Sequence, residues 1–471
     1  MKNKSYGALM EGTIEGNGSG NASSHKSSRS ISEFQPGPLH NERPRIVTVG
    51  MVSGHDGSGS GVVSGGGGDP MHIDSALHRE KYLAEQRGLV QPRLPTPPPS
   101  NRSTTESEEA DDGAREEDAS EEFVEYLTVR EGPSKRKRKY RPVRPLGTGT
   151  FSSVVLATSQ QLPPHTKIDE TSESWLNARN LVAIKVVQHG PAGGADADRI
   201  DLGLKREIEI LRELAHPSLI HLKAFDWSES EALIVLNYCP GGDLFELASQ
   251  HRPLLTQRIV QRMFAELVGA LRYLHDLWIV HRDVKLENVL LNIPVSELAD
   301  IQDPFSYPYP LVTLTDLGLS RKIPKPPESP LLSTRCGSED YAAPEILLGQ
   351  HYDGRTTDAW ALGVLTYALM EGRLPFDPPP ARPGKRAPRV SAPSHRIARC
   401  DWIWCAFGDD DGDWDAELGK GWEGAREAVE GLLKKRGRVH LDELAEKPFV
   451  RDAITCEGGL RRAPHAHDEE S

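Results

Sequence analysis

The stretch HRDVKLEN at residues 281–288 decides the fold of this chain, because it holds an aspartate, a lysine and an asparagine at close, fixed spacing. Asp283 can accept the proton of an attacking hydroxyl group, and Lys285 can neutralise a phosphate that is being transferred. Asn288 offers a neutral oxygen ligand of the kind that suits Mg²⁺. The stretch therefore predicts a site for phosphoryl-group chemistry.

A second candidate metal ligand lies downstream. Asp316 opens the triplet DLG and follows the strand-like run LVTLT at 311–315. A carboxylate in this position can bridge a metal ion to phosphate oxygens. Asn288 and Asp316 are therefore the predicted metal ligands.

Upstream, the run GTGTFSSV at 147–154 is a glycine-rich turn between two strand-like segments. Glycines let the backbone approach a phosphate closely and turn its amide groups toward it. In isolation such a run also fits an ordinary glycine turn. Because a strand and not a helix follows the glycines, the run does not predict a dinucleotide-binding fold.

Lys185 ends the apolar run VAIK at 182–185. A lysine is seldom buried unless it is paired, so an ordinary surface lysine is the alternative interpretation. If Lys185 is buried, a carboxylate must lie beside it. Glu207, in the amphipathic segment at 204–214, can supply that carboxylate.

The order of the segments predicts two lobes. Three runs rich in β-branched residues and bounded by turn formers predict strands: SSVVLA at 152–157, LVAIKVV at 181–187 and EALIVLNY at 231–238. The segment 204–214 predicts a helix, since Ile208, Leu211 and Leu214 fall on one face. After Gly241 the pattern is mainly helical. We expect an α+β fold, with a β-rich amino lobe before an α-rich carboxy lobe.

Composition indicates that part of the chain cannot build a core. The chain has 471 residues, a formal charge of −13 and only 37% hydrophobic residues. Residues 1–125 are rich in Gly, Ser, Pro and acids, which predicts disorder. The acidic balance argues against nucleic-acid binding. The longest nearly apolar stretch, 359–370, is too short for a membrane span of ~20 residues.

The cysteines and the amino end predict a reducing intracellular compartment. The five cysteines form no CxxC pair, and the amino-terminal segment lacks the apolar region of a signal peptide. The basic run Lys135–Lys139 fits a nuclear import signal, or a solvated flank that balances the acidic tract before it. We expect a cytoplasmic protein, with nuclear import through this run as the alternative.

Taken in order, these motifs resemble the eukaryotic protein kinase family over roughly residues 140–450. The resemblance implies a two-lobed kinase fold with ATP and Mg²⁺ between the lobes. It implies that Asp283 is the catalytic base, that Lys285 contacts the γ-phosphate, and that Lys185 holds the α- and β-phosphates and pairs with Glu207. Asn288 and Asp316 would bind Mg²⁺.

The same resemblance implies a set of nucleotide-binding residues. Gly147 and Gly149 would cover the phosphates, Val154 and Ala183 would enclose adenine, Leu236 would be the gatekeeper of the hinge, and Asp243 would meet the ribose. The other residues implied to line the nucleotide site are Leu146, Thr148, Thr150, Phe151, Ser152, Ser153, Asn237, Cys239 and Leu290.

Lys285, two residues beyond Asp283, is typical of the serine/threonine branch. The segment from Thr334 to Glu345 is similar to the calcium/calmodulin- and AMP-activated-kinase-like group. Relatives carry an activating phosphate at the position of Thr334, which implies an upstream kinase. The pattern from Asp316 to Glu345 implies protein substrates. Asp358 is expected to be structural and to hold the backbone of the catalytic loop. Arg438 is the expected partner of Glu345.

These inferences divide the chain into a disordered tail with its basic run (1–139), a kinase domain (140–452) and a second tail (453–471). The amino lobe would cover 140–238 and the carboxy lobe 239–452.

A pseudokinase and a kinase for small molecules are the alternatives to an active protein kinase. The intact catalytic set argues against the first, and the pattern from Asp316 to Glu345 argues against the second. The acidic run 409–415 favours a solvated loop over a calcium site.

Overall fold

The computed structural model describes residues 126–131, 136–148, 152–163, 166–189, 197–380 and 391–462. The predicted tail 1–125 lies outside these residues. So do Lys135 in the basic run and Gly149, Thr150 and Phe151 in the glycine-rich turn.

The amino lobe is a six-stranded antiparallel sheet with strand order β1-β2-β3-β4-β6-β5. Its strands are β1 (Leu127–Glu131), β2 (Arg136–Thr148), β3 (Ser152–Thr158), β4 (Leu181–Gln188), β5 (Leu222–Trp227) and β6 (Glu231–Asn237). The three strands predicted from β-branched runs are present as β3, β4 and β6. The β-rich amino lobe is therefore confirmed.

Helix α1 (Ala197–Glu213), which follows β4 and precedes β5 in the chain, packs against this sheet. Its apolar face is the predicted one, because Ile208, Leu211 and Leu214 are all buried in the main core. The helix thereby turns Glu207 toward β4.

The sheet begins earlier than we expected. β1 and the first residues of β2 form a hairpin in which Leu127 pairs with Tyr140 and Glu131 pairs with Arg136. Val129 and Tyr140 are fully buried in a second apolar cluster on this sheet. The range 1–139, which we predicted as tail, thus includes one strand and the start of another. The basic run was misleading, because its four consecutive charged residues Arg136–Lys139 all pair with β1.

The carboxy lobe is mainly helical, as predicted. Its helices are α2 (Leu244–Gln250), α3 (Gln257–Asp276), α4 (Val295–Leu298), α5 (Pro344–Leu347), α6 (Gly354–Glu371), α7 (Pro393–Arg399), α8 (Glu423–Leu432), α9 (Leu441–Ala445) and α10 (Pro448–Arg451). Its short strands are β7 (Ile279–Val280), β8 (Val289–Leu291), β9 (Val312–Leu314), β10 (Arg321–Lys322), β11 (Leu331–Leu332) and β12 (Tyr352–Asp353). Among the described residues, none of the helices combines the length and apolar character that crossing a bilayer requires.

Helix α6 is the centre of this lobe. Asp353 caps its first turn by accepting a hydrogen bond from the Arg355 amide, and Gly372 ends it in the left-handed region at φ 70°. Nearly every residue between them is buried. Trp360 stacks on Phe376 with ring centroids 5.6 Å apart. A helix surrounded on all sides in this way is a rigid base for the loops that contact it.

The long connection between β8 and β9 is an insertion (292–311), and a buried ion pair anchors it. Arg262 Nε lies 2.5 Å from Glu266 Oε1, and both side chains are fully buried. The Glu266 carboxylate accepts hydrogen bonds from the amides of Leu311 and Val312. The Arg262 guanidinium donates to four carbonyl groups of the insertion, those of Pro304, Phe305, Tyr307 and Tyr309. Such full hydrogen bonding is what makes a buried ion pair tolerable.

Part of the predicted carboxy-terminal tail is folded. Ala453 is fully buried. The Thr455 amide donates to the Phe305 carbonyl at 2.9 Å, and the Arg461 amide donates to the Pro308 carbonyl at 2.9 Å. Residues 453–462 therefore run along the insertion 292–311, and the boundary at 452 is too early.

The acidic run 409–415 forms a turn. Asp409 accepts hydrogen bonds from the amides of Asp411, Gly412 and Asp413. The described residues hold no group of three or more His, Cys, Asp or Glu side chains that could ligate a metal ion.

Candidate active site

Lys185 and Glu207 form an ion pair between β4 and α1. Lys185 Nζ lies 2.6 Å from Glu207 Oε1, and the two side chains are only 19% and 10% exposed. Burial lowers the pKa of Lys185, but the charges of Glu207 and Asp316 outweigh it and hold that pKa above its usual value. The predicted partner of the buried lysine is thus confirmed as a contact, and a fixed positive charge faces the site.

The backbone of the catalytic loop is held by Asp358 on α6. Its carboxylate accepts hydrogen bonds from the amides of His281 at 2.9 Å and Arg282 at 2.8 Å. Arg282 has a positive φ of 71°, a conformation that needs such outside support. The structural role predicted for Asp358 is therefore confirmed.

The Asp283 side chain lies at the centre of a polar cluster. One carboxylate oxygen accepts hydrogen bonds from the Ser338 amide at 2.9 Å and the Ser338 hydroxyl at 3.0 Å. The other lies 2.8 Å from Lys285 Nζ and accepts from Asn288 Nδ2 at 3.0 Å. Burial would raise the pKa of Asp283, but Lys285 and these hydrogen bonds hold it below its usual value. Asp283 is therefore ionised at neutral pH and able to accept a proton.

Asp316 lies just beyond β9, in the left-handed region at φ 61°. Its Oδ1 accepts a hydrogen bond from the Gly318 amide at 3.3 Å, and its charge acts on Lys185. Leu317 is buried behind it. The Thr315 amide donates to the Asn288 carbonyl at 2.8 Å, which ties this segment to the catalytic loop. Asp316 and Asn288 are thus carried by linked segments.

The chemistry of these two residues fits magnesium. The Asn288 amide nitrogen donates to the Asp283 backbone carbonyl at 2.8 Å as well as to its carboxylate. Its side-chain oxygen is therefore the atom that can ligate a metal. One amide oxygen and one carboxylate are the sparse, hard ligand set that Mg²⁺ accepts, since it keeps waters and substrate phosphates as its other ligands.

The described residues predicted to bind nucleotide lie on the strands and the hinge around Lys185. Gly147 pairs with Val154 and Thr148 pairs with Ser153 at the β2–β3 turn. Ala183 pairs with Leu236 across β4 and β6, and Asp243 forms a bridge with Leu290. Asn237 accepts a hydrogen bond from the His221 amide at 2.8 Å. Leu146 and Ser152 complete this set on β2 and β3.

Cys239 ends the predicted hinge (residues 236–239), and Asp243 lies just beyond it. Cys239 is buried, and burial raises the pKa of its thiol to about 12, so it is unreactive at neutral pH. Asp243 caps α2, because its carboxylate accepts a hydrogen bond from the Glu246 amide at 2.9 Å. These contacts describe where the side chains lie, and nucleotide binding by them remains a prediction.

The segment around Thr334 contacts the catalytic loop through a cysteine. Arg282 Nε donates to Cys336 Sγ at 2.9 Å. The Tyr352 hydroxyl donates to the Thr334 carbonyl at 2.7 Å. Gly337 has φ 85°, and a side chain there would collide with the Arg282 carbonyl, so only glycine fits. The thiol that contacts Arg282 is neutral, since burial raises the pKa of Cys336.

Ser338 was missed by sequence reasoning as a direct contact of Asp283. Its hydroxyl also accepts a hydrogen bond from Lys285 Nζ at 3.0 Å. Gly337-Ser338 was the available signal, since a tight glycine turn brings the next residue close to another backbone.

A β-rich lobe, a helical lobe, a buried lysine–glutamate pair and a buried Asp–Lys–Asn cluster together define a protein kinase. The chain belongs to this family, since the family model described as "Protein kinase domain" matches residues 140–387, more than half of its length.

Curated relatives place the chain in the serine/threonine branch. It is 34% identical over 335 residues to the serine/threonine-protein kinase PRR1 of Saccharomyces cerevisiae, covering 66% of this chain and 61% of that protein. It is 38% identical over 200 residues to serine/threonine-protein kinase ppk27 of Schizosaccharomyces pombe (42% and 48% of the two chains).

A third relative supports the predicted group. The chain is 35% identical over 242 residues to NUAK family SNF1-like kinase 2 of Rattus norvegicus, covering 51% of this chain and 32% of that one. This confirms the resemblance to AMP-activated-kinase-like enzymes. The match spans about three-fifths or less of the length of each of these relatives.

Proposed function

We propose that the protein is an active serine/threonine kinase that transfers the γ-phosphate of ATP to protein hydroxyl groups and requires Mg²⁺. The observation that carries the proposal is the ionised Asp283 in contact with Lys285 and Asn288, together with the closed Lys185–Glu207 pair. A pseudokinase usually lacks at least one of these residues or contacts.

The chain's residues perform distinct tasks in this mechanism. Asp283 accepts the proton of the substrate hydroxyl, and Lys285 places positive charge beside it. Lys185, fixed by Glu207, holds the α- and β-phosphates. Asn288 and Asp316 would hold Mg²⁺, which when bound neutralises charge on phosphate oxygens. Positioning and charge, and not a covalent step on the protein, supply the catalysis.

The test is transfer of labelled γ-phosphate from ATP to a degenerate peptide library by the purified chain. We expect phosphoserine and phosphothreonine, and no transfer after Mg²⁺ is chelated. Nucleotide binding without transfer would support the pseudokinase alternative. Transfer to small molecules but not to peptides would support the third interpretation.

We infer a preference for substrates with arginine upstream of the target residue. Asp243 and Glu287 flank the expected peptide groove, and Glu287 Oε2 is buried without a hydrogen-bond partner among the described residues. A buried carboxylate oxygen gains most when a donor reaches it, and an arginine side chain is the matching donor.

Glu287→Gln tests this preference. We expect the ratio of kcat/KM for arginine-containing over arginine-free peptides to fall about tenfold, the equivalent of one charged hydrogen bond. Glu297→Gln, on the distant helix α4, is the control. A library that requires proline after the target, with no gain from upstream arginine, would contradict the inference.

We further propose that an upstream kinase phosphorylates Thr334. The Arg282–Cys336 contact holds a guanidinium two residues from Thr334 along the segment, and a phosphate would bring about −1.5 to −2 charges to it. Arg282 would then exchange a thiol for a stronger acceptor. The test compares wild type and Thr334→Ala before and after phosphatase treatment. Equal activity in all four samples would exclude the switch.

Nuclear import through Lys135–Lys139 is a proposal of the same kind. Arg136–Lys139 pair with β1 in a hairpin, so a receptor that binds an extended basic peptide would have to separate the two strands. We propose that the protein resides mainly in the cytoplasm. Imaging of a tagged full chain, with Lys137 and Lys139 both changed to Gln as the comparison, tests it.

A further inference from the structure

The described residues of the insertion between β3 and β4, 159–163 and 166–180, form an ordered, hydrogen-bonded structure. The Ser159 amide donates to the Asn180 carbonyl at 3.0 Å, which closes its base. Inside it, Asp169 caps the 3₁₀-helix Glu170–Ser174 by accepting from the Thr171 amide at 3.0 Å, while the Asp169 amide donates to Ser172 Oγ at 3.0 Å. This reciprocal cap fixes the direction of Glu173.

Glu173 connects the strand that leads into the glycine-rich turn with the hinge. Arg144, on β2, donates from Nε to Glu173 Oε2 at 2.9 Å. Arg144 Nη2 also donates to the Tyr238 hydroxyl at 3.0 Å, and that hydroxyl donates to the other oxygen of Glu173. Tyr238 lies between Asn237 and Cys239. The three side chains thus form a closed ring of hydrogen bonds.

The ionisation states suit this ring. Burial, followed by the hydrogen bond to Glu173, raises the pKa of Tyr238, so its hydroxyl stays protonated and can donate. Burial lowers the pKa of Arg144, but Glu173 and Tyr238 outweigh it and the net shift is upward. The side chains of Arg144 and Glu173 are 29% and 25% exposed, so solvent screens the pair only in part.

Apolar packing also joins the insertion to the strands and to the hinge. Leu176 of the insertion is buried in a cluster with residues of β2, β3 and β4. Leu146, the residue just before the glycines, and Tyr238 pack against the same cluster. The remaining members are Val143, Leu156, Leu162, Ile168 and Leu181. The insertion therefore contacts β2, just before the glycine-rich turn, and Tyr238 of the hinge by two independent means, hydrogen bonds and apolar packing.

We propose that Glu173 is a positioning residue for the nucleotide, which ties β2 to the hinge and so keeps the adenine site closed to its binding width. This inference rests on the proposed nucleotide site. It makes the insertion Ser159–Asn180 a strut that sets affinity for ATP, without contact with the phosphates or the reacting atoms. Loss of the strut should weaken ATP binding and leave the transfer step unchanged.

The experiment measures KM for ATP, kcat and melting temperature of the full chain in Glu173→Ala, Glu173→Gln and Tyr238→Phe. For Glu173→Ala we expect KM for ATP to rise about five- to tenfold, the scale of one lost charged hydrogen-bond network. We expect kcat within twofold. Glu173→Gln keeps an acceptor and should recover part of the affinity. Glu229→Gln, an exposed carboxylate at the β5–β6 turn of the same lobe, is the control and should match wild type.

A double variant tests whether the ring acts as one unit. Glu173→Ala combined with Tyr238→Phe should raise KM for ATP by less than the product of the two single effects. A KM for ATP within twofold of wild type in Glu173→Ala would overturn the proposal. So would a lower melting temperature with unchanged KM, or a loss confined to kcat.

The wild-type chain separates this inference from the function on which it rests. If wild type neither binds ATP nor transfers phosphate, both proposals fail. If wild type is active and Glu173→Ala behaves like Glu229→Gln, only the strut is contradicted.

Discussion

At the scale of single residues, the state of Asp283 depends on Lys285. The buried carboxyl would titrate above its usual range if it stood alone, but the cation 2.8 Å away and the Ser338 and Asn288 hydrogen bonds hold its pKa down. The proton acceptor is therefore available at neutral pH and well below it. The pH at which kcat/KM falls on the acid side of its profile therefore reports the pKa of Asp283 directly.

Lys285→Met should move the acid limb of kcat/KM to higher pH. In wild type, Asp283 stays ionised until the pH falls below its lowered pKa, so the acid limb lies below the range of an ordinary carboxyl group, about pH 4. Without the lysine charge, desolvation prevails, the pKa of Asp283 rises and activity is lost at a higher pH. A limb at the same pH in both proteins would contradict this assignment.

At the scale of elements, Arg438 joins the loop after α8 to α5 and α6. Its guanidinium lies 2.8 Å from Glu345 Oε1 and donates to the Thr356 carbonyl at 2.7 Å. It also lies over the Trp360 ring, 4.9 Å from its centroid. The predicted Arg438–Glu345 pair is therefore confirmed, and the structure adds the contacts with Thr356 and Trp360, which sequence spacing does not show.

Arg438→Ala should lower the free energy of unfolding by about 3 kcal/mol, because it leaves a largely buried carboxylate without its partner. Denaturant titration measures this loss. The control is Arg272→Ala, which breaks the exposed pair with Asp442 and should cost less than about 1 kcal/mol. If the two variants lose the same free energy of unfolding, Arg438 stabilises the fold no more than an exposed ion pair does, and the prediction is wrong.

At the scale of the whole molecule, the folded unit begins before residue 140, where the match to the kinase family begins. β1 completes the amino-lobe sheet before residue 140, and Arg130 on β1 lies 3.5 Å from Asp226 on β5. Contacts between the first and last strands of the sheet bend it around the apolar cluster of Val129 and Tyr140. The hairpin is thus part of the lobe that carries Lys185.

Two truncations test the role of this hairpin. A chain that starts at Phe123 should melt at the temperature of the full chain. A chain that starts at Gly132 lacks β1 and should melt roughly 5–10 °C lower, because it exposes the Val129 cluster and an unpaired strand edge. Calorimetry of the two chains decides. Equal melting temperatures would mean that β1 contributes nothing to stability.

The features that could be predicted from the sequence are those that follow from a local pattern or from a short motif. The strands with β-branched runs, the face of α1 and the Lys185–Glu207 contact follow from spacing and period, which side-chain geometry fixes. The hairpin could not be recognised, because only Leu127, Val129 and Tyr140 mark its inner face among many charged residues. The partners of Glu173 could not be recognised either, since contacts with residues 29 and 65 positions away leave no period in the chain.

The measurement that tests the central claim most directly is the rate of phosphate transfer by Asp283→Asn, with ATP affinity measured on the same protein. Asparagine keeps the shape of the side chain but cannot accept the hydroxyl proton. We predict that kcat falls at least about 100-fold while the dissociation constant for ATP changes less than about threefold. A variant that keeps most of the wild-type transfer rate under matched conditions would contradict the account.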